Sequence, residues 1–280
     1  MTEKKESIGI ISGGGQFPLL VADSIRRMGM RVIAVAHVED TDPSLEEKVD
    51  KIIWIKLGKL GRLIKVFKQN NVKKVLMAGT ISKNHMFSKA RPDIRGLSFI
   101  SRLAIFHDDG ILRALADELA KEGIEIVSST KYLPELLAPE GCLTKRRPSR
   151  GDKEDICIGW EVAKELGRLD IGQCVVVRKR AIVALEGIDG TDATISRGGK
   201  LAEKGAVVVK ICKPNQDTRF DVPSVGLDTL NVMSEVKAAV LAVEAGKTLM
   251  FNREEMIRYA DKEGISIIAY KEEPEAPGRK

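Results

Sequence analysis

The chain has 280 residues, of which 43% are hydrophobic and 31% are charged, which is the balance of a soluble globular protein rather than of a disordered one. This length corresponds to one large domain or two modest ones, and the lack of any run of 18 apolar residues excludes a transmembrane helix. The four cysteines form no CxxC pair and only three histidines are present, so we expect reduced cytosolic thiols and no zinc cluster or histidine-rich metal centre.

The first 130 residues alternate between continuously apolar segments and amphipathic ones. Strands are predicted at residues 8–11, 31–36, 51–55, 75–78 and 124–127. Helices are predicted at residues 18–29, 60–67 and 109–121. Apolar strands separated by helices are typical of a parallel sheet that is covered on both faces. We therefore predict a Rossmann-like nucleotide-binding domain over residues 1–132.

The second half predicts a separate mixed α/β domain over residues 149–270. Residues 133–148 contain three prolines and a glycine, which favours a linker. Beyond it, helices are predicted at 154–166, 230–243 and 252–263, strands at 206–211, 248–251 and 266–270, and a hairpin at 173–185 that turns at 178–180. Gly246 is interpreted as the C-cap of the 230–243 helix, and the 271–280 tail as disordered. The fold class is thus α/β with two domains.

Positive charge is concentrated in the first half, where 21 Lys and Arg residues stand against 16 Asp and Glu, compared with 25 against 24 in the rest. Two basic runs, 83–102 and 145–150, suit phosphates, an anionic membrane surface or nucleic acid, and solvated loops are the alternative. Because aromatic residues are only 4% of the chain, base-stacking surfaces are scarce and no nucleic-acid partner is expected.

A glycine-rich segment, residues 12–18, follows the first strand and opens the first helix. Glycines let backbone N–H groups approach a phosphate, and the helix N-terminus supplies partial positive charge. The segment matches neither GxGxxG nor a P-loop, which disfavours hydride transfer. Nucleotide or anion binding is favoured over a merely tight turn. The candidate binding residues are Gly13, Gly14, Gly15, Gln16 and Phe17.

The most polar segment is KPNQDTRFDVP at residues 213–223, which follows a predicted strand and holds two prolines. Its carboxylates, Asp217 and Asp221, suit a hard cation such as Mg²⁺, whereas Lys213 and Arg219 suit phosphate oxygens. A surface loop with internally paired charges is the alternative. Such polarity between two hydrophobic elements favours a functional role.

A second acidic turn, EGIDGTDA at residues 186–193, also follows a strand. Thr191 and the N–H groups near it suit an anion, and Asp192 suits either a helix cap or a ligand-binding role. Both interpretations stand.

Taken in order, four motifs resemble a known family: GIISGGGQFP, LMAGTISK, EGIDGTDA and KPNQDTRFDVPSVG. They are similar to the UDP-2,3-diacylglucosamine pyrophosphatases of lipid A synthesis, of the type unrelated to the metallophosphoesterases. The resemblance extends over about residues 8–270, and GGGxxP and QDxRFDxP are its most specific parts.

The resemblance implies a Mg²⁺-dependent hydrolase that converts UDP-2,3-diacylglucosamine to UMP and 2,3-diacylglucosamine 1-phosphate. It implies a homodimer in the cytoplasm, peripheral on the anionic inner membrane, with the nucleotide on the N-terminal domain and the lipid on the C-terminal one. Carried over by motif, the carboxylate of RFDxP is Asp221, the expected metal-binding or water-positioning group. A nucleotide-sugar sensor that binds without chemistry is the alternative.

Residue chemistry agrees with this resemblance, because pyrophosphate hydrolysis needs a cation, cationic side chains on the phosphate oxygens and an oriented water. Asp221 and Asp217 suit the cation, and either Asp221 or Asp192 suits the water. The remaining substrate-binding candidates are Gly79, Thr80, Thr191, Lys213, Gln216 and Arg219. We also expect Leu97, Phe99 and Ile100 of the first basic run, together with the adjoining Leu103, to reach into the membrane. A packed interdomain or dimer helix is the alternative.

Overall fold

A computed structural model of the chain describes residues 5–81, 91–101 and 108–275. The chain divides into two compact units, one formed by Met1–Leu133 with Thr218–Phe220 and the other by Pro134–Asp217 with Asp221–Lys280. A short piece of the polar 213–223 segment, Thr218–Phe220, therefore belongs to the first unit although its neighbours belong to the second.

The first unit is built on a five-stranded parallel sheet in the order β3-β2-β1-β4-β5. Its strands are β1 (Ser7–Ser12), β2 (Arg31–His37), β3 (Lys51–Ile55), β4 (Lys74–Ala78) and β5 (Glu125–Ile126). Its helices are α1 (Phe17–Arg27), α2 (Leu60–Gln69), α3 (Ile94–Ser101) and α4 (Asp108–Ala120). The predicted parallel sheet is confirmed, and the central strands β1 and β2 are buried along nearly their whole length, as a sheet covered on both faces requires.

Helix α2 packs closely on this sheet because of one glycine. A Cβ atom at Gly9 of β1 would lie within 2.7 Å of the Phe67 ring and of the Val75 side chain. Phe67 belongs to the fully buried apolar side of α2 that the three- and four-residue spacing predicts. Gly9 thus lets the helix approach the strand.

The second unit is built on a mixed six-stranded sheet in the order β6-β13-β11-β9-β7-β8. Its strands are β6 (Gly141–Cys142), β7 (Cys174–Arg178), β8 (Ala181–Leu185), β9 (Val207–Lys210), β11 (Val240–Glu244) and β13 (Ser266–Tyr270), and β10 (Ser224–Val225) pairs with β12 (Leu249–Met250). Strands β9, β11 and β13 are parallel, whereas β6 and β7 run antiparallel to their neighbours. The predicted mixed α/β fold is confirmed.

Four helices cover the two faces of this second sheet: α5 (Arg150–Arg168), α6 (Gly190–Ala202), α7 (Leu227–Glu235) and α8 (Arg253–Glu263). Helix α5 packs on one face, where the buried Trp160 belongs to the same apolar cluster as Val207 and Val209. The opposite face packs against α6, α7 and α8 through residues such as Ile195, Leu230 and Met256. Burial on both faces explains why the central strands are apolar throughout.

The predicted helix over residues 230–243 is wrong, because α7 ends at Glu235 and β11 begins at Val240. Lys237 between them has a left-handed backbone (φ +53°), which ends the helix. Gly246 accordingly follows a strand rather than capping a helix, and the strand predicted at 248–251 is reduced to the two residues of β12. Apolar content alone did not separate a helix from a buried strand here.

We expected residues 133–148 to form a linker, but Leu133 belongs to the first unit and residues 134–148 belong to the second. Strand β6 pairs with β13, and the Arg146 guanidinium donates hydrogen bonds to the carbonyls of Ala239 and Gly264 and to the Asp152 carboxylate. Arg146 thus ties elements of the sheet together rather than offering its charge to solvent. Residues 276–280 of the expected disordered tail lie outside the described residues.

The other basic run is described only in part, since Lys83, Lys89 and Arg102 lie outside the described residues. The adjoining Leu103 lies outside them as well. Within the described ranges, no helix is long and apolar enough to cross a membrane.

Candidate functional site

Two loops of the first unit are joined at the carboxyl ends of β1 and β4. The Gly13 N–H donates to the Ala78 carbonyl at 2.8 Å, and Gly14 and Thr80 exchange two backbone hydrogen bonds at 2.7 and 3.1 Å. The sequence-predicted residues Gly13, Gly14, Gly79 and Thr80 are therefore brought together, at the edge where ligands bind in open α/β sheets.

These glycines are required by the contact between the loops. A Cβ atom at Gly13 would lie 2.4 Å from the Thr80 carbonyl oxygen, and one at Gly79 would lie 2.4 Å from the Gly14 carbonyl oxygen. The N–H groups of Gly13 and Gly14 are thus donated to protein carbonyls, and these contacts give no support to the prediction that they bind a phosphate.

The next residues of this loop keep a geometry that suits an anion. Gly15 has a left-handed backbone (φ +86°) and, like Gln16, is exposed. Gln16 stands at the N-cap of α1 and Phe17 is its first residue. A helix N-terminus attracts negative charge, and the first turn of α1 holds no acidic residue that would oppose it. Gly15, Gln16 and Phe17 thus remain the candidates for a nucleotide phosphate.

His37, which the sequence did not mark as functional, contacts the end of β1 where the glycine loop begins. It is the last residue of β2 and is buried, with Nδ1 at 2.9 Å from the Ser12 carbonyl oxygen, which also accepts the Thr41 hydroxyl at 2.8 Å. A carbonyl can only accept, so Nδ1 carries the hydrogen. Burial lowers the pKa of His37 below its usual 6.5, despite the opposing hydrogen bond to Ser12 and the nearby Asp40 charge. His37 is thus a neutral imidazole that supports the end of β1.

In the second unit, the acidic turn after β8 is organised around a buried carboxylate. Glu186 accepts hydrogen bonds from the Gln173 N–H at 2.8 Å and from the Thr191 hydroxyl at 2.7 Å. Asp192 is exposed in the first turn of α6, and no side chain among the described residues caps that helix. The capping interpretation of Asp192 is therefore wrong, whereas its position at the carboxyl end of β8 leaves its charge available for a ligand.

The polar loop after β9 brings Gln216 and Asp221 into direct contact. The Gln216 Nε2 group donates to the Asp221 carboxylate at 2.5 Å, and the Gln216 Oε1 atom accepts from the Lys213 N–H at 2.9 Å. The Asp221 N–H in turn donates to the Asp217 carbonyl at 3.2 Å, which closes a tight turn around the carboxylate. Asp221 itself is exposed. The loop is therefore shaped to present this carboxylate to a ligand.

The two cationic candidates of this loop have other partners. The Lys213 ammonium group pairs with the Asp170 carboxylate at 2.7 Å. Arg219 lies in the part of the loop that belongs to the first unit, where its guanidinium group stands 4.9 Å from the centre of the Phe220 ring. Phe220 packs against the apolar core of that unit. The role of Lys213 and Arg219 in binding phosphate oxygens stays a prediction.

Glu244 is the strongest feature that sequence reasoning missed. This carboxylate ends β11, is 3% exposed, and accepts hydrogen bonds from Lys164 at 2.8 Å, Lys247 at 2.6 Å and the Cys212 N–H at 3.0 Å. Burial raises its pKa, but the two ammonium groups and the Cys212 N–H outweigh that effect, so the net pKa lies below the usual 4.5. Glu244 is thus an ionised anchor at the start of the polar loop.

Cys212 links this anchor to the loop but is not an activated thiol. Burial and the charge of Glu244 raise the pKa of its thiol, with Asp221 adding to the effect and Lys247 and Lys164 opposing it. All four cysteines are free, as expected. The raised pKa makes Cys212 a poor nucleophile.

The donor set of the loop fits Mg²⁺ as a single-carboxylate site. Among the described residues, no group of three His, Cys, Asp or Glu side chains has the arrangement of a preformed metal site. Mg²⁺ is commonly held by one or two carboxylates together with substrate phosphates and waters. Asp221 is exposed and uses one carboxylate oxygen for Gln216, so its other oxygen suits such an ion.

Solved structures offer only remote likenesses. The biotin carboxylase of Campylobacter jejuni is 14% identical, with 70% of this chain and 41% of that chain covered and a TM-score of 0.29. A UDP-glucose 4-epimerase of Stenotrophomonas maltophila is 10% identical, with 43% and 34% covered and a TM-score of 0.28. Neither carries an argument about this protein.

Family comparisons match nearly the whole chain. The LpxI N-terminal domain matches residues 7–136 and the LpxI C-terminal domain matches residues 139–268. The UDP-2,3-diacylglucosamine pyrophosphatase LpxI of Caulobacter vibrioides is 34% identical over 273 residues, covering 93% of this chain and 96% of the relative. The motifs that carried the resemblance thus lie within a match that spans both units, and the chain belongs to the LpxI family.

Proposed function

We propose that this chain is a pyrophosphate hydrolase that converts UDP-2,3-diacylglucosamine to UMP and 2,3-diacylglucosamine 1-phosphate in lipid A synthesis. The observation that carries the proposal is the 34% identity, over 93% of the chain, to a relative named for this activity. The geometry supports it, since an exposed Asp221 carboxylate is held by Gln216 at the carboxyl edge of a sheet.

In this reaction Asp221 holds a metal ion or accepts a proton from the attacking water. A carboxylate side chain can serve in either role. Asp192, exposed at the first turn of α6, is the second candidate for orienting the water. Asp217 contributes its backbone carbonyl to the turn that carries Asp221, which gives it a supporting place rather than a direct one.

Mg²⁺ is the metal that we propose, with Asp221 as its protein ligand. When bound, it would neutralise charge that develops on the phosphate oxygens. The polar loop presents the exposed Asp221 carboxylate for this purpose. Lys213 is already paired with Asp170, so the loop's own lysine does not supply the cation that the pyrophosphate needs.

We further propose that the glycine loop of the first unit takes the nucleotide phosphate, with Gly15, Gln16 and Phe17 at the N-terminus of α1. The homodimer implied by the resemblance stays a prediction.

The membrane surface is proposed as a second partner, through the exposed side of α3. Ile94, Leu97 and Ile100 are 88%, 57% and 48% exposed and recur every three residues. The Arg95 guanidinium group instead pairs with Glu118 at 2.9 Å and Glu122 at 2.6 Å. We therefore assign membrane contact to Ile94, Leu97 and Ile100 and not to the charge of Arg95.

Vesicle binding tests this surface. A Leu97→Ser/Ile100→Ser variant should co-sediment less with phosphatidylglycerol-containing vesicles, whereas Leu169→Ser/Ile171→Ser, which removes exposed apolar residues of the second unit, should bind like the wild type. Equal binding of both variants and the wild type would contradict the membrane role of α3.

The enzymatic proposal is tested by release of UMP from UDP-2,3-diacylglucosamine, with and without EDTA. We expect release that stops with EDTA and returns with added Mg²⁺. Binding of the substrate without UMP release would instead identify a nucleotide-sugar sensor. Release that is unaffected by EDTA would contradict the metal part of the proposal alone.

A further inference from the structure

A hydrogen-bond chain in the second unit connects the buried Glu244 to the exposed Asp221. Glu244 Oε2 accepts the Cys212 N–H at 3.0 Å and the Lys164 ammonium at 2.8 Å, and the same ammonium donates to the Cys212 carbonyl at 3.2 Å. Both backbone polar groups of Cys212 are therefore fixed by one ion pair. This fixes the point at which the polar loop leaves β9.

Cys212 and Lys213 in turn determine how the Gln216 amide is oriented. Gln216 Oε1 receives the Lys213 N–H at 2.9 Å and lies 3.3 Å from the Cys212 thiol. An N–H group can only donate, so the amide oxygen must face Lys213 and the NH₂ group must face the other way. That NH₂ group meets Asp221 Oδ2 at 2.5 Å.

We propose that Gln216 is a positioning residue for Asp221, held in place by Glu244 and Lys164, and not a substrate-binding residue as the sequence suggested. This chain of hydrogen bonds fixes the Oδ2 atom of Asp221 and leaves the second carboxylate oxygen to face the ligand. This inference rests on the proposed function, because it assigns a role within that reaction. The residues that hold Gln216 come from α5, β11 and the polar loop, and two of them, Lys164 and Glu244, are 80 residues apart in the sequence.

Because Glu244 is buried, the hydrogen bonds that it accepts depend on its negative charge. Glu244 is 3% exposed, and Lys247 engages its other oxygen at 2.6 Å. Removing the charge from one partner of a buried pair leaves the other uncompensated. Glu244→Gln should therefore loosen the Cys212 peptide while keeping the volume of the side chain.

The decisive experiment compares Gln216 variants in two backgrounds. In the wild-type background, which keeps Asp221, Gln216→Ala should lower kcat by about 10- to 100-fold, the range for residues that orient a reactive group. KM should change less than about twofold. In an Asp221→Asn protein the same substitution should cost less than about twofold. Gln216→Glu, which keeps the acceptor toward Lys213 but puts a carboxylate against Asp221, should lose at least as much kcat as Gln216→Ala.

Glu244→Gln should lower kcat as Gln216→Ala does, but by a smaller factor. Because both substitutions act through the same hydrogen bonds, their effects on kcat should not add. The matched control is Asp155→Asn. Asp155 is also a 3% exposed carboxylate, and it accepts two backbone N–H groups, but these belong to the hairpin turn at the opposite edge of the sheet. Asp155→Asn should lower stability without changing kcat or KM.

Hydrogen exchange provides a readout that needs no substrate. Glu244→Gln should speed exchange in peptides covering residues 211–222 and leave those covering 174–185 unchanged, with the reverse for Asp155→Asn. An increase in KM at unchanged kcat for Gln216→Ala, or an equal loss in the Asp221→Asn background, would overturn the positioning role. If the wild type releases no UMP but hydrogen exchange changes as expected, the proposed function fails and the hydrogen-bond chain stands. If Glu244→Gln leaves hydrogen exchange unchanged, Glu244 does not hold the polar loop and this part of the proposal is wrong.

Discussion

The Thr191 hydroxyl donates a hydrogen bond to the carboxylate of Glu186 at 2.7 Å. Glu186 is buried, and its other oxygen accepts the Gln173 N–H. A donor that is already used by a buried carboxylate is not available to a substrate phosphate. The contact therefore assigns Thr191, a predicted substrate-binding residue, a structural role in the turn between β8 and α6.

Replacing Thr191 tests this assignment. Thr191→Val should lower the free energy of unfolding by about 1–3 kcal/mol, because a buried charged acceptor loses a donor. KM for the substrate should change less than about twofold, and Thr191→Ser should restore the wild-type stability. Urea unfolding and steady-state kinetics measure both. A raised KM with normal stability would show that the hydroxyl serves the substrate instead.

His37 should make the first unit sensitive to mild acid. Burial lowers its pKa in the folded state below 6.5, so the unfolded chain takes up a proton at a higher pH than the folded one. Above about pH 6.5 the imidazole is neutral in both states, so His37 does not change the free energy of unfolding with pH. As the pH falls below that value toward the folded-state pKa, the unfolded chain takes up the proton first and the free energy of unfolding decreases.

The measurement is the free energy of unfolding at pH 7.0 and 5.5 for the wild type and His37→Gln. The variant should be less stable at pH 7.0, because the imidazole contact with the Ser12 carbonyl is lost. Its further loss between pH 7.0 and 5.5 should be smaller than that of the wild type. Equal losses in the two proteins would show that His37 does not titrate in this range.

The hairpin between β7 and β8 illustrates what a sequence can and cannot predict. The basic break at 178–180 correctly indicated the turn, which the structure places at Lys179 and Arg180 with φ values of +48° and +66°. The sequence did not reveal that Asp155, on α5, accepts the N–H groups of both residues at 2.9 and 2.6 Å. Local pattern predicts the turn, whereas the carboxylate that supports it comes from a distant helix.

This turn offers a stabilising substitution. Two consecutive left-handed residues favour Asn-Gly, and each non-glycine residue in that conformation is strained by about 1 kcal/mol. Lys179→Asn/Arg180→Gly should therefore raise the free energy of unfolding by about 1 kcal/mol. The ion pair lost with Arg180 is exposed and contributes little. A less stable double variant in urea unfolding would contradict the strain argument.

The same distinction explains the outcome at the candidate sites. The GGG loop and the RFDVP loop were recognised because their unusual residues are contiguous in the sequence. Glu244 was missed because its partners Lys164 and Cys212 are 80 and 32 residues away, and no local pattern marks a carboxylate at the end of an apolar strand. Gly13 and Gly14 were assigned to a phosphate because the Thr80 loop that contacts them could not be seen locally.

The most direct test of the active carboxylate is Asp221→Ala. Asp221 is exposed and held by Gln216 at 2.5 Å, so its removal should leave the fold intact while turnover falls a hundredfold or more, about 3 kcal/mol of lost transition-state stabilisation. Substrate affinity should survive, because the proposed nucleotide contacts at Gly15, Gln16 and Phe17 are not part of this loop. The folded variant should therefore bind UDP-2,3-diacylglucosamine without cleaving it.

Asp217→Ala is the matched control for this experiment. The turn around Asp221 uses the backbone carbonyl of Asp217, which alanine retains, so turnover of this variant should fall much less than that of Asp221→Ala. Thermal melts of both variants separate lost chemistry from lost folding. Near-normal turnover in folded Asp221→Ala would remove this residue from the reaction and make Asp192, exposed at the first turn of α6, the next carboxylate to replace.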